Sequence, residues 1–270
     1  MTSTRARRPA FWIALPTALT ALAACTSSDQ PEEDRPTPSR AVTAALRTVE
    51  RSTDRADSAR VTSTTTVGSA LSMTAHGTLA WGDGLTGTLT ITYTGGTTAE
   101  TMRRLGTTSM EARYLPDAYY ARMGEAFAEK ADGRHWIKYA YDDLKNLAGS
   151  SGADLADQMR GNAPHTSVKL LLSAADVRKV GEETVSGAHT TRYSGTVRVE
   201  GATPQTVDIW VDDRDLLVKK VEKGRTATGA LTQTAYYSDY GVKTAVRKPP
   251  EGDTADLKDL LKRGALDGTS

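Results

Sequence analysis

The ten residues "LTGTLTITYT", Leu85 to Thr94, alternate with a period of two. Leu85, Gly87, Leu89, Ile91 and Tyr93 point one way, and five threonines point the other. A strand buried on both faces is apolar throughout, so this alternation demands an antiparallel strand with one covered face and one wet face. Threonine suits the wet face, because its β-branch fits the pleat while its hydroxyl stays solvated.

Turn signals recur at hairpin spacing along the chain: Gly82-Asp83-Gly84, Gly95-Gly96, Pro116-Asp117, Asp132-Gly133, Gly187, Gly201 to Pro204, Asp212-Asp213 and Gly224. They separate strand-like runs near 60–68, 72–81, 85–94, 107–114, 118–123 and 135–141, and a second series near 178–185, 189–199, 205–212, 216–223 and 230–238. Helical stripes supply the cover. Val42, Ala45, Leu46 and Val49 fall at i, i+3, i+4 and i+7, with Ser39 placed to cap them. Pro164 divides an insert from Asp142 to Ala175 into two helices. The second of these carries Val168, Leu171, Leu172 and Ala175 on one stripe, with Asn162 as its cap. Leu257, Leu260 and Leu261 mark a short last helix within 254–263. The pattern predicts an α+β layer architecture, one long antiparallel meander with its helices gathered on one face.

The start of the chain says where the protein resides. Arg5, Arg7 and Arg8 precede an apolar run from Ala10 to Ala24, which is the layout of a secretory signal. The run falls short of the roughly 20 apolar residues that span a bilayer. Leu22-Ala23-Ala24-Cys25 ends it with small residues before the single cysteine of the sequence. This resembles the bacterial lipobox, in which cleavage precedes the cysteine and its thiol is acylated with palmitate-type chains. The expected divisions are a lipoprotein signal peptide at 1–24, a lipidated cysteine and flexible tether at 25–40, a single domain at 41–263, and a tail at 264–270. The tether, with three prolines between 26 and 40 and no large apolar residue, cannot bury enough surface to order itself.

Charge and motif content narrow the function. Removal of the three signal arginines takes the formal charge from +1 to −2. No basic field attracts nucleic acid, so none is expected as a partner. His76, His135, His165 and His189 form no HxxxH or HxH pair, and neither a metal nor a cofactor is expected. GxSxG, P-loop and GxGxxG signatures are absent in a strand-to-helix context, so no enzyme is expected. Asp208, Asp212, Asp213 and Asp215 lack the glycine and closing glutamate of a calcium loop and read as a hairpin turn.

"YYARM…GRHWIKYAYDDL", "NAPHTSVKLLLSAADVRKVGEETVSGAHTTRYSGTV", "VDIWVDDRDLLVKKV" and "YSDYG" occur in this order over residues 40 to 250. Together they resemble the LppX/LprAFG lipoproteins of actinobacteria, within the LolA/LolB-like superfamily. The resemblance implies a strongly curved antiparallel half-barrel with helices packed on its concave face, and an apolar cavity between the two layers. It implies an anchored carrier of a lipid or lipoglycan at the outer face of the plasma membrane. Covered positions then become pocket candidates: Leu89, Ile91, Tyr93, Tyr114 and Tyr119 from the first strand series, and Val168, Leu171 and Leu172 from the helix after Pro164. Tyr193 and Val197 extend the set across the second series. A packed core and a lined pocket use the same residues, so an anchored interaction module with a filled core stays open beside the carrier.

Overall fold

A computed structural model describes residues 38–147, 163–198 and 203–263, all within one compact unit. The signal peptide, Cys25, most of the tether, the Asn162 cap and the tail lie outside the described residues. Twelve strands form one sheet: β1 (Ser58–Val67), β2 (Leu71–Ala80), β3 (Thr86–Gly95), β4 (Ser109–Tyr114), β5 (Ala118–Arg122), β6 (Trp136–Ala140), β7 (Arg178–Val185), β8 (Ala188–Val197), β9 (Gln205–Asp212), β10 (Leu217–Thr226), β11 (Gly229–Ser238) and β12 (Thr254–Asp256). The described helices are α1 (Arg40–Arg55), α2 (Gly96–Arg104), α3 (Glu125–Ala128), α4 (Tyr141–Leu147), α5 (Pro164–Leu172) and α6 (Leu257–Lys262).

The spatial order is β12-β6-β5-β4-β3-β2-β1-β11-β10-β9-β8-β7, a curved and unclosed sheet. β1 therefore joins the two strand series, pairing with β2 on one side and β11 on the other. Every pairing is antiparallel except β12 with β6, so the sheet is mixed rather than wholly antiparallel. The difference arises at 254–256, where the expected last helix begins three residues late. Ala255 is buried in β12, and Asp256 then occupies the N-cap position of α6.

Register carries one continuous covered face across the sheet. Val61 pairs with Gly77 and Tyr237, Ala75 with Ile91, Leu89 with Ala112, and Tyr114 with Tyr119. Thr86, Thr88, Thr90 and Thr92 of β3 occupy the opposite face and remain half-buried, while Gly87, Leu89 and Ile91 between them are buried. Curvature has a local cause at Gly77 and Gly87, whose φ values of 155° and 149° lie where side chains are rarely tolerated. A Cβ on Gly77 would sit 2.0 Å from the Thr88 carbonyl oxygen. Glycine kinks of this kind bend a pleated sheet.

The covering helices follow their stripes. Ser39 Oγ accepts from Val42 N–H at 3.2 Å, and α1 buries Leu46 and Val49. Pro164 opens α5, where a missing N–H costs nothing, and α5 buries Val168 and Leu171. α1 packs on α5, tied by Lys169 and Glu50 at 3.2 Å. Leu46, Leu144 and Leu171, from α1, α4 and α5, share one core with the concave strand positions. Two short helices, α2 and α3, were not foreseen. The polar sequence of α2, "GTTAETMRR", carries only Ala99 and Met102 as buried anchors.

The opposite face is also covered locally. Ala118, Tyr120 and Trp136 form a small cluster there, with the Arg113 guanidinium 4.5 Å above the Trp136 ring. Arg113 Nη1 donates to the Arg247 carbonyl at 2.8 Å, holding the segment that leads to β12. Among the described residues no helix is long and apolar enough to cross a membrane.

Candidate functional site

The two layers do not fill the space at the centre of the sheet. α5 lies over β8, β9 and β10, close enough that a Cβ on Gly195 would reach Leu171 Cδ1 and Ala174 Cβ at 3.0 Å. At the other end, tyrosines occupy the concave face. Tyr114 and Tyr119 have ring centroids 5.0 Å apart, and Tyr119 and Tyr139 are 5.6 Å apart, both edge to face. Burial pushes the Tyr139 hydroxyl up to about 12, so this wall stays uncharged.

Between these ends lies a cavity of about 100 Å³. Its apolar wall comes from Val61 of β1, Ala75 and Leu79 of β2, Leu89 and Ile91 of β3, and Ala235 of β11, with Met73 and Tyr114 at its margin. Small residues at Ala75 and Ala235 leave the room. The remaining wall is polar: Ser63, Lys220, Gln233 and Tyr237.

Lys220 organises that polar wall. Its ammonium donates to Glu222 Oε1 at 2.9 Å and to Ser167 Oγ of α5 at 3.0 Å. The side chain is only 9% exposed and that of Glu222 15%. Burial acts to lower the Lys220 pKa, but Tyr237 and Glu222 more than offset it and hold the amine above the ordinary lysine value. Burial raises the Tyr237 hydroxyl against the opposing Lys220 charge. An apolar half-barrel thus contains a neutralised ion pair facing its cavity. Such a pair is costly to desolvate and adds little stability over an apolar replacement.

Of the pocket candidates, Leu89, Ile91 and Tyr114 line this cavity. Tyr93 is half-buried beside it, and its hydroxyl faces Met110 Sδ at 3.7 Å. Tyr119 belongs to the tyrosine wall. Val168 and Leu171 are fully buried in α5, with Leu172 half-buried against the same core. Tyr193 and Val197 are buried on β8, away from this cavity. Lys220, Gln233 and Tyr237 escaped sequence reading. A β-bulge between Leu217 and Lys219 shifts the β10 register, so Lys220 follows Leu217 onto the covered face.

Other polar groups have structural partners. Asp212 Oδ1 accepts from Arg214 N–H at 3.0 Å and Leu216 N–H at 2.9 Å, and Asp215 takes φ 60°, which makes the aspartate cluster a hairpin turn. Asp208 pairs with Arg192 at 2.9 Å. Among the described residues no group of three or more His, Cys, Asp or Glu is placed to hold a metal ion. A second hollow, of about 400 Å³, opens beside Trp81, Leu85, Pro116 and His165. His165 Nδ1 lies 3.4 Å from Asp54 Oδ1 without an aligned hydrogen bond, and burial lowers its pKa.

No family model matches the chain. A candidate lipoprotein of Streptomyces coelicolor is 61% identical over 282 residues, covering 97% of this chain and 98% of the relative. A 31.2 kDa protein of Streptomyces griseus, from the rplA–rplJ intergenic region, is 46% identical over 246 residues, covering 82% and 81%. Two solved structures share the fold. The Mycobacterium tuberculosis lipoprotein LppX matches with a TM-score of 0.51 at 18% identity, covering 78% of this chain and 100% of its own. LprF from Mycobacterium bovis matches at 0.50 and 13% identity, covering 79% and 99%. The chain belongs to the same family as its Streptomyces coelicolor relative, and its fold is that of LppX and LprF.

Proposed function

We propose that this protein is an exported lipoprotein, anchored through acyl chains on Cys25, that binds an apolar or amphipathic lipid at the outer face of the plasma membrane. Anchoring rests on the signal architecture and on the single cysteine behind it. The relative named as a candidate lipoprotein agrees with it. Carriage rests on the cavity between the concave sheet face and the helices, in a fold shared with LppX. No catalytic step is proposed.

The carrying experiment is purification from the native envelope, followed by native mass spectrometry and lipid extraction. Co-purified acyl lipid supports carriage, and a protein free of lipid overturns it. Anchoring is tested separately by Cys25→Ala, which should abolish both palmitate labelling and membrane retention. Equal labelling of the two proteins refutes acylation at this position.

One observation favours the interaction module instead. A cavity of about 100 Å³ is smaller than the engineered protein cavity of roughly 150 Å³ that holds a single benzene. A whole acyl chain requires the α1–α5 layer to move off the sheet. A protein that stays empty and pulls down one envelope partner supports this second reading.

A further inference from the structure

A separate cavity of about 200 Å³ lies on the opposite face of the sheet, under the strap of chain at 247–253. Tyr120 of β5 pairs with Lys138 of β6, which pairs with Asp256 of β12, and this cross-strand row lines it. The strap adds Lys248, Pro249 and Glu251. Arg113 Nη1 holds the strap at the Arg247 carbonyl, and the His135 N–H holds it at Asp253 Oδ1, so the cavity is built into the fold. Tyr120 is fully buried, yet its hydroxyl has no hydrogen-bond partner among the described residues. Buried hydroxyls are rarely left unpaired, so this one marks a place for an atom from outside the chain. Burial raises its pKa above the ordinary tyrosine value, and the charges of Asp117, Asp256 and Glu251 raise it further, so it meets the cavity as a donor. Lys138 Nζ stands 3.7 Å from Asp256 Oδ2, and Lys248 Nζ 3.7 Å from Glu251 Oε1. Both separations exceed hydrogen-bond distance, which leaves two ammonium groups and two carboxylates available on a wall without net charge.

We propose that this cavity holds one neutral pyranose ring, the terminal sugar of a glycan. The selectivity follows from the balanced wall. A sugar hydroxyl both donates and accepts, so a polyol can pair with the lysines, the carboxylates and the Tyr120 hydroxyl together. An anion meets Glu251 and Asp256, and a cation meets Lys138 and Lys248, so each loses on one side what it gains on the other. Size agrees with the chemistry. An engineered cavity of roughly 150 Å³ holds a single benzene, and about 200 Å³ leaves room for a six-membered ring with its hydroxyls. Pro249, buried at the cavity wall, offers an apolar surface to the C–H face of that ring.

The test uses the full acylated chain in phosphatidylcholine vesicles, photolabelled with a diazirine-bearing methyl glucopyranoside and mapped by peptide mass spectrometry. Label should fall on β5, β6 and the segment 247–256, and unlabelled methyl glucopyranoside should compete better than glucuronate or glucosamine. Tyr120→Phe should lower that labelling several-fold while the melting temperature holds or rises, because the lost hydroxyl had no partner. Lys248→Met, at a half-exposed position of the strap, should lower it in the same way. Maltotriose and octyl glucoside present the ring as a polysaccharide end and as a glycolipid headgroup, and competition by either supports the site and names its source. Unchanged labelling in either variant overturns the proposal. Labelling only elsewhere, or none, means a cavity that holds water alone and overturns it too. Stronger competition by the acid or the amine overturns the choice of a neutral ring. The probe carries no acyl chain, so each of these outcomes leaves the carrier reading untouched.

Discussion

Added bulk separates residues that line the cavity from residues that fill the core. Val168 is 0% exposed within α5, and Ala75 is 5% exposed on the cavity wall. Both are small and buried, yet only Ala75 faces free volume. Val168→Trp, at a position the sequence places among the pocket candidates, should overpack α5 against β8–β10 and cost about 1–3 kcal/mol or more. Ala75→Leu should hold stability or raise it by about 1 kcal/mol, because the new methyl groups enter space already present. It should also displace any ligand. Urea unfolding of each variant against wild type reads both effects, and equal destabilisation of the two would falsify this placement of the cavity. Backbone geometry sets a different limit at Gly77. Its φ of 155° and the Thr88 carbonyl 2.0 Å from a Cβ leave no relaxed position for alanine. Gly77→Ala should cost about 1–3 kcal/mol through backbone strain, and a midpoint equal to wild type refutes that account.

The C-terminal elements hang on a titratable clasp. His135, just before β6, places Nδ1 2.7 Å from Asp253 Oδ1 and Nε2 3.3 Å from Glu125 Oε2, while its backbone N–H donates to Asp253 Oδ1 at 2.8 Å. Hydrogen bonds to Asp253 and Glu125 raise the His135 pKa above 6.5, so its contribution to stability is complete below 6.5 and is lost as pH rises through the raised value. Asp253 has the opposite sense. Burial acts to raise it, but the His135 hydrogen bonds carry it below 3.8, so its contribution is lost as pH falls through the depressed value. The clasp should be strongest between these limits. Hydrogen exchange of β12 and α6 should accelerate as pH rises through the His135 transition, beyond the intrinsic rise, and His135→Asn should remove that step. The elements joined by this clasp were the least legible in the sequence. β9 matches its expected bounds because Val207, Ile209 and Val211 alternate between flanking turn residues, and β7 matches because the Gly187 turn fixes its end. β12 was concealed because three residues carry no period, and its partner β6 is more than 100 positions away in the chain. On the polar side of the cavity, Lys220 was concealed by the β10 bulge, which reverses its face without changing composition. Leu89, Ile91 and Tyr114 were legible because β3 and β4 carry no such shift where they pair.

Taken across the molecule, the two strand series join in one sheet. The first series supplies β1–β6 and the second β7–β11, yet their mutual boundary is the eight-residue pairing of β1 with β11. The covering layer repeats that union, because α1 precedes the first series and packs on α5, which precedes the second. Thr53 Oγ1 of α1 accepts from Leu217 N–H at 3.3 Å, and Ser58 Oγ donates to the Val242 carbonyl at 2.7 Å. Both contacts cross between the N-terminal and C-terminal halves. Splitting the sheet between β1 and β11 exposes Val61, Ala235 and Tyr237 together with two long unpaired edges, a state that aggregates rather than persists. The remaining edges are protected. β7 places Arg178, Lys179, Glu182 and Glu183 along one, and short β12 closes the other under α6. Backbone cleavage between residues 148 and 162, at an engineered protease site, should therefore leave both fragments associated in one particle. The nicked protein should unfold in a single urea transition at a lower midpoint, since the cut frees chain entropy without removing a strand. Size-exclusion chromatography and denaturing electrophoresis of the same fraction read the association. Two fragments eluting separately, each with its own cooperative transition, would show that β1 and β11 do not hold the halves together and that the sheet is divided where they meet.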